Sequence, residues 1–120
     1  MRGFKELKVW QRAHQFVLDI YKITKKFPSD EKFGLTLQIR RAAISIPANI
    51  AEDFKRKSDK DFAHFINIAE SSLEEVKYYL FVSSDLGYIN EKVYQLLNNQ
   101  TEEIGKMLNG LYKKLVRGRQ

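Results

Sequence analysis

Four polar residues, Arg41, Ser45, Asn49 and Glu52, recur every three or four positions inside an otherwise apolar run from Gln38 to Glu52. At ~100° per residue they share one narrow strip of a helix with Gln38 and Arg56. A guanidinium, a hydroxyl, an amide and a carboxylate in a row could line a groove for a polar ligand or a nucleic acid. They could also satisfy one another. Glu52 can pair with Arg41 or Arg56 on the same strip, and a self-paired strip fixes helix packing or subunit register. That self-pairing favours the structural alternative, so Arg41, Ser45, Asn49 and Glu52 are assigned to a polar network.

The residues needed for common catalytic chemistry are missing. There is no cysteine, which excludes thiolate catalysis, disulfides and cysteine–zinc sites and suits a reducing cytoplasm. The two histidines, His14 and His64, stand apart. His64 follows Asp61 by three residues and could share its helix face, which reads as a surface pair rather than a dyad with a nucleophile. Bundle di-metal centres use Glu-x-x-His, and that pattern is absent from the chain. So are a phosphate loop, an RNP motif, a zinc finger and a glycine-rich dinucleotide motif. The expectation is a non-enzymatic protein with no metal and no cofactor.

Charge is the remaining signal. The net charge is +6, and it is concentrated: residues 1–60 carry 14 Lys/Arg against 7 Asp/Glu, whereas residues 61–120 carry 7 against 8. A basic half attracts polyanions, RNA or DNA above all. The simpler alternative is a solvated surface that serves solubility. The candidate phosphate contacts are Arg12, Lys22, Lys25 and Lys26 on the first helix, Lys55, Arg56, Lys57 and Lys60 at a corner, and Lys113, Lys114, Arg117 and Arg119 at the tail. Binding by such residues is sequence-tolerant and salt-sensitive. The competing expectation is a protein-interaction scaffold whose charge serves docking. No apolar run reaches the ~20 residues of a membrane span, and the N-terminus lacks a signal peptide's apolar segment, so a cytoplasmic protein without a membrane partner is expected.

These residues need elements to position them. A chain of 120 residues is read as one domain over 1–120. A first helix is predicted from Lys5 to Lys26, with Val9, Ala13, Phe16, Ile20, Ile23 and Phe27 on its core face and Trp10 as a core or interface anchor. Pro28 breaks it, and Ser29 or Asp30 is placed to cap the second helix. That helix is predicted from about Gly34 to Arg56. One broad apolar face holds Leu35, Ile39, Ala42, Ala43, Ile46, Ile50 and Phe54, and a separate stripe holds Leu37, Ile44, Ala48 and Ala51. A helix apolar on two sides lies unusually deep or forms a subunit interface, and the interface is preferred. Pro47 in its interior predicts a kink, with a full break as the alternative; Ser45 or Asn49 could satisfy freed backbone groups.

Ser58 and Asp61 resemble a capping box ahead of a third helix from Asp59 to Leu86. Its core stripe is Phe62, Phe65, Ile66, Ala69, Leu73, Val76 and Leu80, with Ile68, Tyr79, Val82 and Leu86 beside it and Glu70, Glu74 and Asp85 facing solvent. Gly87 should end this helix in the left-handed conformation, with Ile89 packed back over the last turn. Asn90 should cap a fourth helix to about Val116, built on Val93, Leu97, Ile104, Leu108, Leu111 and Leu115. Long helices joined by short connections give an all-α, antiparallel up-down-up-down four-helix bundle with its second helix kinked at Pro47.

Particular residues also carry a resemblance. Leu7-Lys8-Val9-Trp10-Gln11, Phe27-Pro28, Phe33-Gly34-Leu35, the run from Gln38 to Glu52, and Asp85-Leu86-Gly87-Tyr88 resemble the 23S rRNA intervening sequence proteins, also labelled S23 ribosomal proteins. The family commonly has glycine where Asp53 stands and often glycine near Glu70-Ser71; both departures favour longer regular helices. The resemblance implies a bacterial, cytoplasmic four-helix bundle that assembles as a homopentamer. It also extends to the accessory protein of diversity-generating retroelements, a basic pentamer that binds a reverse transcriptase and nucleic acid. A polymerase is therefore the protein partner implied for the scaffold alternative.

Overall fold

Four α-helices succeed one another along the chain: α1 over Lys8–Thr24, α2 over Leu35–Asp53, α3 over Asp59–Asp85 and α4 over Glu91–Arg117. The structure is a computed structural model that describes residues 3–53 and 59–117. Helices consecutive in sequence pack side by side, and α4 closes back on α1. Short connections and this neighbour order give the up-down-up-down bundle.

The apolar periodicities converge on one core. Ala13, Phe16 and Ile20 of α1, Ile39, Ala43, Ile46 and Ile50 of α2, Ile66, Ala69 and Val76 of α3, and Leu97, Ile104 and Leu108 of α4 lose essentially all solvent contact. Burial of this kind contributes ~25 cal/mol per Å² of apolar surface. Thr101 takes the heptad position between Leu97 and Ile104. It is fully buried, with its hydroxyl donating to the Asn98 carbonyl at 2.7 Å.

Several boundaries differ from the sequence expectation. α1 starts at Lys8 rather than Lys5, because residues 4–6 form a separate 3-10 turn and Leu7 is extended (φ −71°, ψ 125°). That turn folds the chain back so that Phe4 packs against Trp10, ring centroids 5.1 Å apart and planes inclined at 63°. The cap of α2 comes from neither Ser29 nor Asp30. Glu31 supplies it, its Oε1 accepting from the Leu35 N–H at 3.1 Å. α2 then runs unbroken through Pro47, so the two-helix alternative does not occur. Pro47 leaves the Ala43 carbonyl without its usual donor, and half a turn on, the Asn49 amide donates to the Ser45 carbonyl at 2.7 Å. Phe54 and Ser58, assigned to the α2 face and a capping box, lie outside the described residues.

The α3–α4 connection bears out the chemistry of its sequence closely. Gly87 has φ +78°, the left-handed region where glycine avoids the Cβ penalty. The Tyr88 N–H bonds the Ser83 carbonyl at 2.9 Å and the Gly87 N–H bonds the Ser84 carbonyl at 3.0 Å, the paired bonds of a Schellman ending. Ile89 is buried against the core. Asn90 Oδ1 accepts from the Val93 N–H at 2.8 Å and caps α4. Leu86, expected to flank the core, is instead exposed. Glu70, expected in solvent, is half-buried against α4.

Candidate nucleic-acid interface

The polar strip of α2 faces α3. Ser45 Oγ accepts from the Ser72 hydroxyl at 2.8 Å and from the Asn49 amide at 2.9 Å. These three side chains form a small network across the α2–α3 seam. Ser72, which joins it, is legible in the sequence only as a small residue permitting close approach. Arg41 is exposed and borders a shallow cavity of about 230 Å³ with Gln38, Ser45, Ser72 and Glu75. Glu52 is exposed further along the helix. The structure thus brings Ser45 and Asn49 together and leaves Arg41 at the seam's edge.

Arg40, beside the strip in sequence, has a more defined role than Arg41. Its Nε donates to Thr24 Oγ1 at 2.8 Å and its Nη2 to the Tyr21 carbonyl at 3.4 Å. Its guanidinium carbon lies 4.5 Å from the Tyr21 ring centroid, a cation–π distance. A cation on the last carbonyls of α1 also complements the negative end of that helix. The signal available in the sequence was a lone cation on the helix strip of Thr36, Ala43 and Pro47, which otherwise carries no charge.

The proposed phosphate contacts separate into distinct environments. Arg12 is committed: its guanidinium donates to the Glu103 carboxylate of α4, so its charge is locally neutralised. Lys22, Lys25 and Lys26, at the end of α1, are exposed, and no described carboxylate pairs with them. Lys60 on α3 and Lys113 and Lys114 on α4 are exposed at the opposite end of the bundle. Lys55, Arg56, Lys57 and Arg119 lie outside the described residues, and Arg117 closes α4.

Acidic groups collect elsewhere. A groove of about 540 Å³ between α3 and α4 is bordered by Glu70, Glu74 and Glu102. Lys77 bridges the helices from within it, 3.3 Å from Glu74 and 3.6 Å from Glu102. Partial burial, and then the neighbouring Glu74, push the Glu70 carboxyl up from its ordinary range. Lys106 also borders the groove, so this face sets three carboxylates against two lysines and is less favourable to phosphate than the cationic end of α1.

Two apolar openings complete the surface. Between α1 and α2, Trp10, His14, Ile44, Pro47 and Ala48 line a groove of about 290 Å³. His14 stacks flat on Trp10, centroids 5.0 Å apart and planes within 6°. Leu37 and Ile44, on the second stripe of α2, are 36% and 41% exposed. Beyond the end of α1, Ile23, Tyr88, Ile89 and Val93 wall a second pocket of about 260 Å³, with Lys22 and Lys26 at its rim. His64 packs nearly perpendicular to the Phe65 ring, centroids 5.5 Å apart. Among the described residues, no three His, Cys, Asp or Glu side chains come together as a metal site, and no helix is long and apolar enough to cross a membrane.

The family described as 23S rRNA-intervening sequence protein matches residues 5–110. A solved structure, that of a protein with unknown function from the S23 ribosomal protein family of Bacteroides thetaiotaomicron, is 32% identical and superposes with a TM-score of 0.81. The match covers 88% of this chain and 95% of that one. No curated protein matches the chain.

Proposed function

The chain belongs to the 23S rRNA-intervening sequence protein family, and on that premise we propose that it is a non-enzymatic, homo-oligomeric helical bundle that binds RNA or another nucleic acid through a basic surface. The observation that carries this reading is the cationic end of α1. Lys22 in the last turn of α1 and Lys25 and Lys26 just past it are exposed without a described carboxylate partner. Unpaired cations so close together raise the local potential and release counterions when they meet phosphates. Lys60, Lys113 and Lys114 offer a second set at the other end. A cytoplasmic location accords with the cysteine-free sequence.

Self-association, as a pentamer by family resemblance, is supported by the second apolar stripe of α2. The groove holding Ile44 and Ala48 is open on a single chain, and an interface between copies would cover it. A scaffold role for a protein partner such as a polymerase is the second reading. The α3–α4 groove favours it, because its mixed lining of Glu70, Glu74, Glu102, Lys77 and Lys106 suits the mixed charges of a protein segment better than a polyphosphate.

The test is a salt series of RNA and DNA binding on the purified protein, beside the triple variant Lys22→Glu/Lys25→Glu/Lys26→Glu. The expected result is affinity that falls linearly with salt on logarithmic axes, with a slope of about −0.9 per duplex phosphate neutralised, and a marked loss in the variant. Salt-independent binding, or an unchanged affinity in the variant, contradicts the reading. Co-purification of a nuclease-resistant protein partner with no shift of added RNA supports the scaffold instead.

A further inference from the structure

We infer that the pocket between the end of α1 and the α3–α4 turn receives one unstacked base of a single-stranded nucleic acid, with Lys22 and Lys26 on the flanking phosphates. This rests on the nucleic-acid reading above and makes it specific: the preferred ligand is a single strand or loop, and a duplex lacks the free base.

The pocket's chemistry is divided in the way such a ligand requires. Its walls are the aliphatic side chains of Ile23, Ile89 and Val93 and the ring of Tyr88, and its rim carries two lysines. An apolar hollow under a cationic rim suits a flat group tethered to an anion. The volume of about 260 Å³ falls below the ~300–1,000 Å³ typical of sites for free small molecules, so it suits one unit of a larger polymer. Lys22 lies in the last turn of α1 and Lys26 in the turn that follows it, and their long stems can reach successive phosphates on either side of one inserted base.

No described carboxylate pairs with either lysine, and the charges of Glu31 and Asp30 act instead on the Tyr88 phenol at the far wall. Glu31 accepts from Tyr88 and Leu35, and Glu91 accepts from Gln95 at 2.9 Å. Asn90, also at the pocket, spends its Oδ1 on the α4 cap. Its Nδ2 has no partner among the described residues and can donate to an acceptor on a base edge. Exposed Lys25 and Lys92 lie next in sequence to the pocket residues and extend the cationic surface beyond what one acidic peptide side chain would use. That continuity favours a polyphosphate over a peptide.

The wall is also held in place before any ligand arrives. Tyr88 is fixed by its bond to Glu31, by the helix-ending bonds around Gly87 and by the Phe27 ring 5.3 Å away. A preformed wall spares the ordering cost of binding. Recognition of RNA generally takes this form, with unstacked bases from loops and single strands seated on side chains while cations track the backbone.

The experiment compares a short pyrimidine-rich RNA strand with an RNA duplex of equal length, by fluorescence anisotropy on the full chain. Val93→Trp is used to fill the pocket, and Ile23→Trp fills it from the opposite wall if the first variant fails to fold. The wild type is expected to prefer the single strand by ~10-fold, the scale of one seated base. Either variant should reduce that preference to near unity while leaving duplex affinity and its salt slope unchanged. A 2-aminopurine in the strand should change its fluorescence on binding the wild type and not the filled variants. Equal wild-type affinity for strand and duplex, or a preference that survives the filling, overturns the pocket assignment and leaves basic-surface binding standing. No binding of either RNA at low salt overturns both. An acidic aromatic peptide that binds with sensitivity to the filling, while the strand preference is absent, assigns the pocket to a protein partner and overturns the base.

Discussion

The phenolic hydroxyl of Tyr88 donates to Oε2 of Glu31 at 2.9 Å across 57 residues of sequence, while Oε1 of the same carboxylate accepts from the backbone N–H of Leu35 at 3.1 Å. One side chain therefore caps α2 and ties the α3–α4 turn to it. Gly34 leaves the room this needs, since a Cβ there would lie 2.8 Å from Glu31 Oε1. Glu31→Ala should cost ~1 kcal/mol through the lost cap, seen as a Tm lower by about 4 °C. Gly34→Ala should destabilise the wild type by displacing the carboxylate, and should cost less in the Glu31→Ala background, where no carboxylate is displaced and only glycine's preference over alanine at this cap position remains. A double-mutant cycle by chemical denaturation measures this coupling.

The same bond gives a pH dependence. Hydrogen bonding to Glu31, then desolvation and the nearby carboxylate charges, raise the Tyr88 phenol above its ordinary 10.0. The unfolded state loses this proton first, so the native state holds more protons as pH rises and stability falls. The contribution is complete below about pH 10 and is lost as pH climbs through the higher folded value. Comparing thermal unfolding of the wild type with Tyr88→Phe between neutral and strongly alkaline pH should show a shallower decline in the variant.

Glu70 shifts in the same direction for a different reason. Its carboxyl is raised above 4.5, first by burial and then by Glu74, so its charged form is disfavoured by folding. Stability from this group is present below about pH 4.5 and lost as pH rises through the folded value. Glu70→Gln should therefore be slightly more stable than the wild type at pH 7, by no more than about 0.5 kcal/mol because solvent screens most of the effect. The advantage should vanish in acid, measured by urea denaturation at both pH values.

The adjacent arginines should separate cleanly. Arg40→Ala removes two hydrogen bonds and a cation–π contact at the end of α1 and should cost about 2 kcal/mol. Arg40→Lys should recover only part of that, since an ammonium lacks the planar fork. Arg41→Ala, at an exposed site, should stay within about 0.5 kcal/mol. Denaturant midpoints of the three variants decide this.

Assembly makes a further prediction. Ile44→Glu or Ala48→Glu places a charge in the open groove between α1 and α2. Either should dissociate the proposed oligomer while sparing the monomer's fold, because both positions are exposed on a single chain. Light scattering with circular dichroism reports both quantities. A wild type that is monomeric at micromolar concentration removes the assembly proposal.

Local periodicity in the sequence determined the four helices, their order and most of their core residues. A stripe repeating every three or four positions has one geometry that buries it, and Gly87 and Asn90 act on backbone groups within their own turns. The two-sided character of α2 was equally legible, because it depends only on angles around one helix. What the tertiary structure decided are the pairings between side chains far apart in the chain. Arg12 reads as a free cation until α4 brings Glu103 to it. Glu31 looks like an ordinary loop acid until Tyr88 arrives from the far turn, and Arg40 resembles its neighbour until Thr24 and Tyr21 claim it. The open pocket beside Lys22 and Lys26 belongs to the same class. Its walls come from α1, the α3–α4 turn and α4, and no spacing along a single helix encodes how three separate segments meet.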